Sequence, residues 1–137
     1  MALQYSKKLM KHFKTPKFVK RLKNPNAVGE VGNIRCGDIM RLELVIQDNK
    51  IKDIGFQTFG CPAAVASSDV VCEIAKGKSL KKAKKIEKDE IIKNLGGMPP
   101  IKIHCSILGI EALRKAIKNY EDKESSIMKI KNQKRNK

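Results

Sequence analysis

The sequence predicts an α+β fold: a small antiparallel three-stranded sheet with about five helices packed on it. Three observations lead there. Period-two alternation of apolar and polar residues is confined to one stretch, roughly residues 40–59. The turns within that stretch are too short for the crossovers that parallel strands need. Helical periodicity lies on both sides of it, so the element order is helix, three strands, then helices.

Leu3, Leu9, Met10 and Phe13 recur among basic residues and predict a helix over 3–13, ended by Thr15-Pro16. His12 lies on this basic helix and is expected to face solvent. Residues 14–30 carry Pro16, Pro25 and Gly29 and read as an irregular connector. Met40-Arg41-Leu42-Glu43-Leu44 alternates, Val45-Ile46 continues the strand, and Asp48-Asn49 makes a turn. Ile51 to Phe59 returns with Ile54, Phe56 and Thr58 on one face, and a third strand is expected around Val31–Arg35.

After Cys61 the pattern becomes helical. Pro62 suits a first helical position, where its missing N–H costs nothing. Ala63, Ala66, Val70 and Ile74 form one stripe, and Gly77 ends the helix. Ser79 is placed to cap a short helix to Ile86, and Asp89 another to Leu95, stopped by Gly96-Gly97. Consecutive prolines make Met98 to Lys102 extended. The last helix is expected from about Cys105 to Tyr120, burying Ile110, Leu113, Ile117 and Tyr120. The chain then divides into one domain, residues 1–124, and a basic tail, 125–137, expected to be disordered.

Composition narrows the function. The net charge of +16, from 30 Lys and Arg against 14 Asp and Glu, attracts polyanions. The charge is mostly dispersed lysine with little aromatic interleaving, so nucleic-acid binding is not the expected role. No apolar run approaches the ~20 residues that span a bilayer, and no membrane partner is expected. The N-terminus has no apolar signal segment, and four cysteines then point to a reducing, cytoplasmic setting and thiol chemistry. Cys72 sits inside a helical pattern and is expected to be a small buried hydrophobe.

The other three cysteines lie at element boundaries. Cys36-Gly37-Asp38 falls at a turn between strands, Cys61 ends a strand and precedes a helix, and His104-Cys105 enters the last helix. Helix starts carry partial positive charge, a favourable setting for anionic ligands. Thiolates favour zinc and iron–sulfur clusters. A [2Fe–2S] cluster takes four protein ligands, and three cysteines with Asp38 or His104 supply that number. A carboxylate or imidazole in place of the fourth thiolate suits a labile cluster better than a permanent one. The cysteine spacing itself leaves scattered structural cysteines as an equal alternative.

Several segments together resemble the IscU/NifU-like iron–sulfur cluster assembly scaffolds. They include Val28-Gly29-Glu30-Val31-Gly32-Asn33, Cys36-Gly37-Asp38-Ile39-Met40, Phe56-Gln57-Thr58-Phe59-Gly60-Cys61, Ala66-Ser67-Ser68 and Pro99-Pro100-Ile101-Lys102-Ile103-His104-Cys105-Ser106, spread over residues 4–122. The resemblance implies a scaffold and not an enzyme. A cysteine desulfurase would supply sulfur, a ferredoxin-type reductant electrons, and apo iron–sulfur proteins would receive a transient [2Fe–2S] cluster. It implies Cys36, Cys61 and Cys105 as ligands, with Cys105 also the persulfide acceptor. Asp38 is implied as an iron ligand, His104 as an alternative or neighbouring one, and zinc as a possible occupant in place of iron. Met98, Pro99, Pro100, Ile101 and Lys102 stand where the family has Leu-Pro-Pro-Val-Lys, which implies docking of an Hsp70-type chaperone and its co-chaperone. Pro62-Ala63 replaces the family's frequent Gly-Ser and stiffens the turn after Cys61. A related branch, zinc-bound sulfur acceptors that stimulate a desulfurase, has an insertion before the last cysteine that this chain lacks.

Overall fold

The central hairpin sets the frame. Strand β2 (Asp38–Gln47) and strand β3 (Lys50–Phe59) pair antiparallel through a two-residue turn. Asp48 and Asn49 take φ of 56° and 60°. That is the left-handed pair a tight hairpin requires, and Asp and Asn tolerate it. Strand β1 (Ala27–Asn33) pairs with β2 on its other edge, giving the order β1-β2-β3. In this computed structural model the described residues are 5–33, 38–59, 61–103 and 105–135, with side chains of Asn33, Asp38, Ile101 and residues from 124 onward excluded.

The three strands and the antiparallel sense agree with the sequence reading, but β1 starts earlier than Val31. Part of the expected irregular connector is therefore strand. The pattern was hidden because Gly29 and Gly32 interrupt the alternation of Ala27, Val28 and Val31.

One sheet face forms the core. Met40, Leu42 and Leu44 of β2 stand opposite Thr58, Phe56 and Ile54 of β3, and five of these six are fully buried. Phe56 and Met40 are among the largest buried side chains, so the core combines an aromatic ring and a thioether with Ile, Leu, Val and Ala. Helix α1 (Lys7–Lys14) is capped by the Ser6 hydroxyl, which accepts from the Leu9 N–H. Helix α2 (Pro62–Ala75) is buried nearly all round, including Ser67, Ser68 and Asp69, where a single stripe was expected. It is the central helix, with α1 and α5 against it.

Helix α3 (Leu80–Ala83) starts at Ser79, whose hydroxyl accepts from Lys82 N–H as the sequence suggested. Helix α4 (Lys88–Asn94) has Glu87 at its N-cap, and Asp89 lies within the first turn. Asp89 therefore favours the positive end of the helix without capping it. Gly96 and Gly97, at φ of 73° and 109°, terminate α4. Pro100–Lys102 is a short 3₁₀ turn and not extended. Pro99 obeys the pre-proline preference for extended backbone, and Pro100 then serves as a first helical residue.

Helix α5 (Cys105–Arg135) runs far past Tyr120. No Gly or Pro interrupts the sequence from Ile110 to Arg135, and beyond Tyr120 most of it is Glu, Lys, Met, Gln and Arg, all good helix formers. Its small residues Ala112 and Ala116 let it lie directly on β1. A Cβ on Gly29 would stand 2.3 Å from the Ala112 carbonyl oxygen and 2.5 Å from the Ala116 nitrogen.

His12 is not a solvent-facing residue. Its Nδ1 lies 2.7 Å from Asp69 Oδ2, and Asp69 is 1% exposed. Asp69 Oδ1 also accepts from the Lys17 and Phe18 backbone N–H groups at 2.9 and 3.0 Å. One carboxylate of α2 thus ties down both α1 and the segment after it. That segment runs along the free edge of β3, where Phe18 C=O accepts from Phe56 N–H, and then crosses the second sheet face, where Glu43 accepts from Leu22 N–H.

Candidate functional site

Two helix starts and one end of the sheet meet at the site. Cys61 is the N-cap residue of α2, in extended backbone at φ −74° and ψ 170°, which turns the chain from β3 into the helix. Its carbonyl accepts from Ala64 and Val65 N–H at 3.0 and 3.2 Å. Cys105 is the first residue of α5. The two Sγ atoms lie 3.5 Å apart, well beyond the ~2.05 Å of a disulfide. Cys61 is half-buried. Cys105 is fully buried in a small cluster with Ala63 and Ala64, against which Tyr5, Met98 and Leu108 pack.

Sequence reading missed Ser67. This buried residue of α2 donates its hydroxyl hydrogen toward the Cys105 carbonyl and the Ala64 carbonyl, both at 3.2 Å. It links the body of α2 to the first residue of α5 and so fixes how the two cysteines face each other. The available signal was a serine pair between alanine- and valine-rich turns of an otherwise apolar helix. Ser67→Ala is expected to cost about 1–2 kcal/mol in chemical denaturation, since a buried carbonyl partner is lost without a change in volume. A midpoint equal to that of the unmodified protein would show that the link carries no load.

The register places Asp38 at the same end. Asp38 opens β2 opposite Asn33, and the next residue, Ile39, stands opposite Phe59, two positions before Cys61. Of the expected ligands, Cys36 and His104 lie outside the described residues, as do Gly37 and Gly60, and the Asp38 side chain is not described. Among the described residues, no group of three or more His, Cys, Asp or Glu side chains is arranged to hold a metal ion. The described residues bring together the Cys61–Cys105 pair of thiols.

Cys72 is fully buried elsewhere on α2, as expected. Burial pushes its thiol well above the usual range, and the nearby Asp69 charge adds to this. It is a packing residue and not a ligand. Met98 packs near the site, while Pro100 is exposed at the start of the 3₁₀ turn that leads into Cys105. Beside the site, Phe59 and Ile39 are exposed by 79% and 47%. With Val19 they border an open apolar cleft of about 440 Å³ on the outer sheet face.

The NifU-like N terminal domain family model matches residues 4–127 of this chain. The chain belongs to this family. Members of known description are close in sequence. A protein of Archaeoglobus fulgidus named iron–sulfur cluster assembly scaffold protein IscU 1 is 47% identical over 127 residues, covering 93% of this chain and 83% of its own length. The scaffold protein IscU of Aquifex aeolicus is 40% identical over 129 residues, covering 93% and 82%. Among solved structures, a protein of Fervidobacterium islandicum described as a putative iron–sulfur cluster assembly scaffold for the SUF system superposes with a TM-score of 0.69. It is 26% identical and covers 82% of this chain and 96% of its own. The family membership and the α+β architecture read from the sequence are both borne out. Among the described residues no helix is long and apolar enough to cross a membrane.

Proposed function

We propose that this chain is a scaffold on which a [2Fe–2S] cluster is assembled from iron and desulfurase-derived sulfur and then passed to apoproteins. The observation that carries the reading is the Cys61–Cys105 sulfur pair, 3.5 Å apart at the starts of two helices. Two thiolates bound at about 2.3 Å to one tetrahedral ion stand roughly 3.8 Å apart. The pair therefore needs little movement to hold one metal. The named relatives support the same role.

Cys36, Asp38 and His104 complete the proposed ligand set. A mixed set of three thiolates with a carboxylate or an imidazole holds a cluster less firmly than four thiolates, which suits cargo that must leave. Cys105 is the proposed sulfur acceptor. A persulfide donor reaches it only after the apolar cover around Met98 and Tyr5 moves, because Cys105 is fully buried. The sulfur donor is a cysteine desulfurase of the same reducing, cytoplasmic compartment, and reduction of the delivered sulfur draws electrons from a ferredoxin-type protein. The segment at half-buried Pro99 and exposed Pro100 is the proposed contact for an Hsp70-type chaperone.

The test is anaerobic reconstitution with ferrous iron, cysteine and a desulfurase, followed by visible absorption. Charge-transfer bands should form on the unmodified chain and fall by about tenfold or more in Cys61→Ser and in Cys105→Ser, since each removes a ligand. Asp38→Ala should keep its bands longer against a chelator. A colourless protein that retains zinc throughout, with desulfurase turnover dependent on one cysteine, would instead identify a zinc-bound sulfur acceptor.

A further inference from the structure

At the opposite end of the sheet the chain carries its densest charge. Seven lysines fall between residues 76 and 88, against one acid, Glu87. This segment is anchored to the far end of the hairpin: Ile51 N–H donates to the Lys78 carbonyl, and Leu80 N–H to the Asn49 carbonyl. Ten-residue strands separate that end from Asp38 and Phe59, a distance of roughly 30 Å. Lys78, Lys81, Lys82, Lys85 and Lys88 form no ion pair with any described residue.

Beside these lysines is an open cleft of about 480 Å³, lined by Asn49, Leu80, Lys81, Lys84, Tyr120 and Glu121 among others. It combines an apolar wall, from Leu80 and Tyr120, with a basic rim. Lys84 is held by Glu121, a carboxylate that sits where an acidic ligand would place its own.

We propose that this cleft and its lysine rim dock an acidic segment of a partner protein, one apolar side chain entering against Tyr120 while flanking carboxylates meet Lys81, Lys84 and Lys85. Charge complementarity gives the sign of the partner. The nature of the rim selects protein over nucleic acid. Lysines provide point charges without the bidentate phosphate recognition of arginine. The nearby Arg114 is committed to the carbonyls of Lys84 and Ile86. Tyr120 is a single half-buried aromatic, and among the described residues lining the cleft no second aromatic completes a platform on which bases stack. A partner held here leaves the Cys61–Cys105 end open, so docking and chemistry at the thiols proceed at the same time. This inference rests on the distal surface and is independent of the cluster reading.

The experiment is fluorescence anisotropy on the full chain with a labelled glutamate-rich peptide carrying a central leucine. Lys81→Glu with Lys85→Glu should weaken binding about tenfold or more at low salt, with the melting midpoint unchanged because both side chains are exposed. Replacing the peptide leucine by serine should weaken it about threefold, and Glu121→Gln should strengthen it by freeing Lys84. Equal affinity of the double variant would overturn the proposal. Tighter binding of oligothymidylate, or of phosphatidylglycerol vesicles, than of the peptide would overturn it too and assign the face to nucleic acid or membrane.

Discussion

Gly29→Ala is expected to destabilise the protein by more than about 3 kcal/mol and to lower its melting midpoint by roughly 10 °C or more. The clash is steric and involves backbone atoms. The added methyl would lie 2.3 Å from the Ala112 carbonyl oxygen and 2.5 Å from the Ala116 nitrogen. Neither atom can swing aside as the tip of a side chain would, so α5 must lift from β1. The effect reaches the site, because α5 begins at Cys105 and its first turn sets that sulfur beside Cys61. Gly55→Ala supplies the contrast. Its methyl would meet the Lys20 carbonyl at 2.6 Å, but Lys20 belongs to an irregular segment that can shift, and a loss nearer 1–2 kcal/mol is expected. Thermal unfolding of the two variants checks both. A Gly29→Ala protein melting within about 2 °C of the unmodified chain would mean that the helix does not lie on the strand as described.

Asp69→Ala is expected to cost about 3–4 kcal/mol. The carboxylate is almost wholly buried and accepts from three donors: the N–H groups of Lys17 and Phe18, and the His12 ring. Removing it strands two backbone donors and an imidazole, and a buried donor left without a partner costs more than the bond contributed. Asp69→Asn keeps an acceptor oxygen for the two N–H groups and loses the charge facing His12, so its loss should be about half as large. Hydrogen exchange should show the earliest and largest loss of protection over residues 7–18 in both variants. Uniform loss of protection across the chain, with no excess there, would show that Asp69 does not anchor the N-terminal segment.

The fold was legible where periodicity is strong and a turn has one chemistry. Leu42, Leu44, Ile54 and Phe56 announced the hairpin, and Asp48-Asn49 its turn. Ser79 and Gly96-Gly97 marked helix boundaries through capping alone. Other features were hidden because they depend on partners distant in sequence. Gly29 looks like a loop residue until α5 is laid against it. Asp69 and His12 look like surface residues until they meet across 57 positions of sequence. The Pro99-Pro100 pair was misread because proline excludes a helix interior but favours a helix start. At the site, Cys61 and Cys105 were legible as element-boundary residues, and their sulfurs lie 3.5 Å apart. Ser67, which links them, was not legible, since a mid-helix serine gives no sign of its acceptor.

A scaffold builds a cluster in order to give it away, and transfer to an acceptor tests this. The reconstituted protein is mixed anaerobically with an apo [2Fe–2S] ferredoxin in the presence of an iron chelator, and the circular dichroism of the acceptor's cluster is followed with time. The acceptor should gain its cluster faster than it does from equal amounts of free iron and sulfide, while the chelator captures little iron. Iron passing to the chelator with the acceptor left empty would contradict the scaffold role.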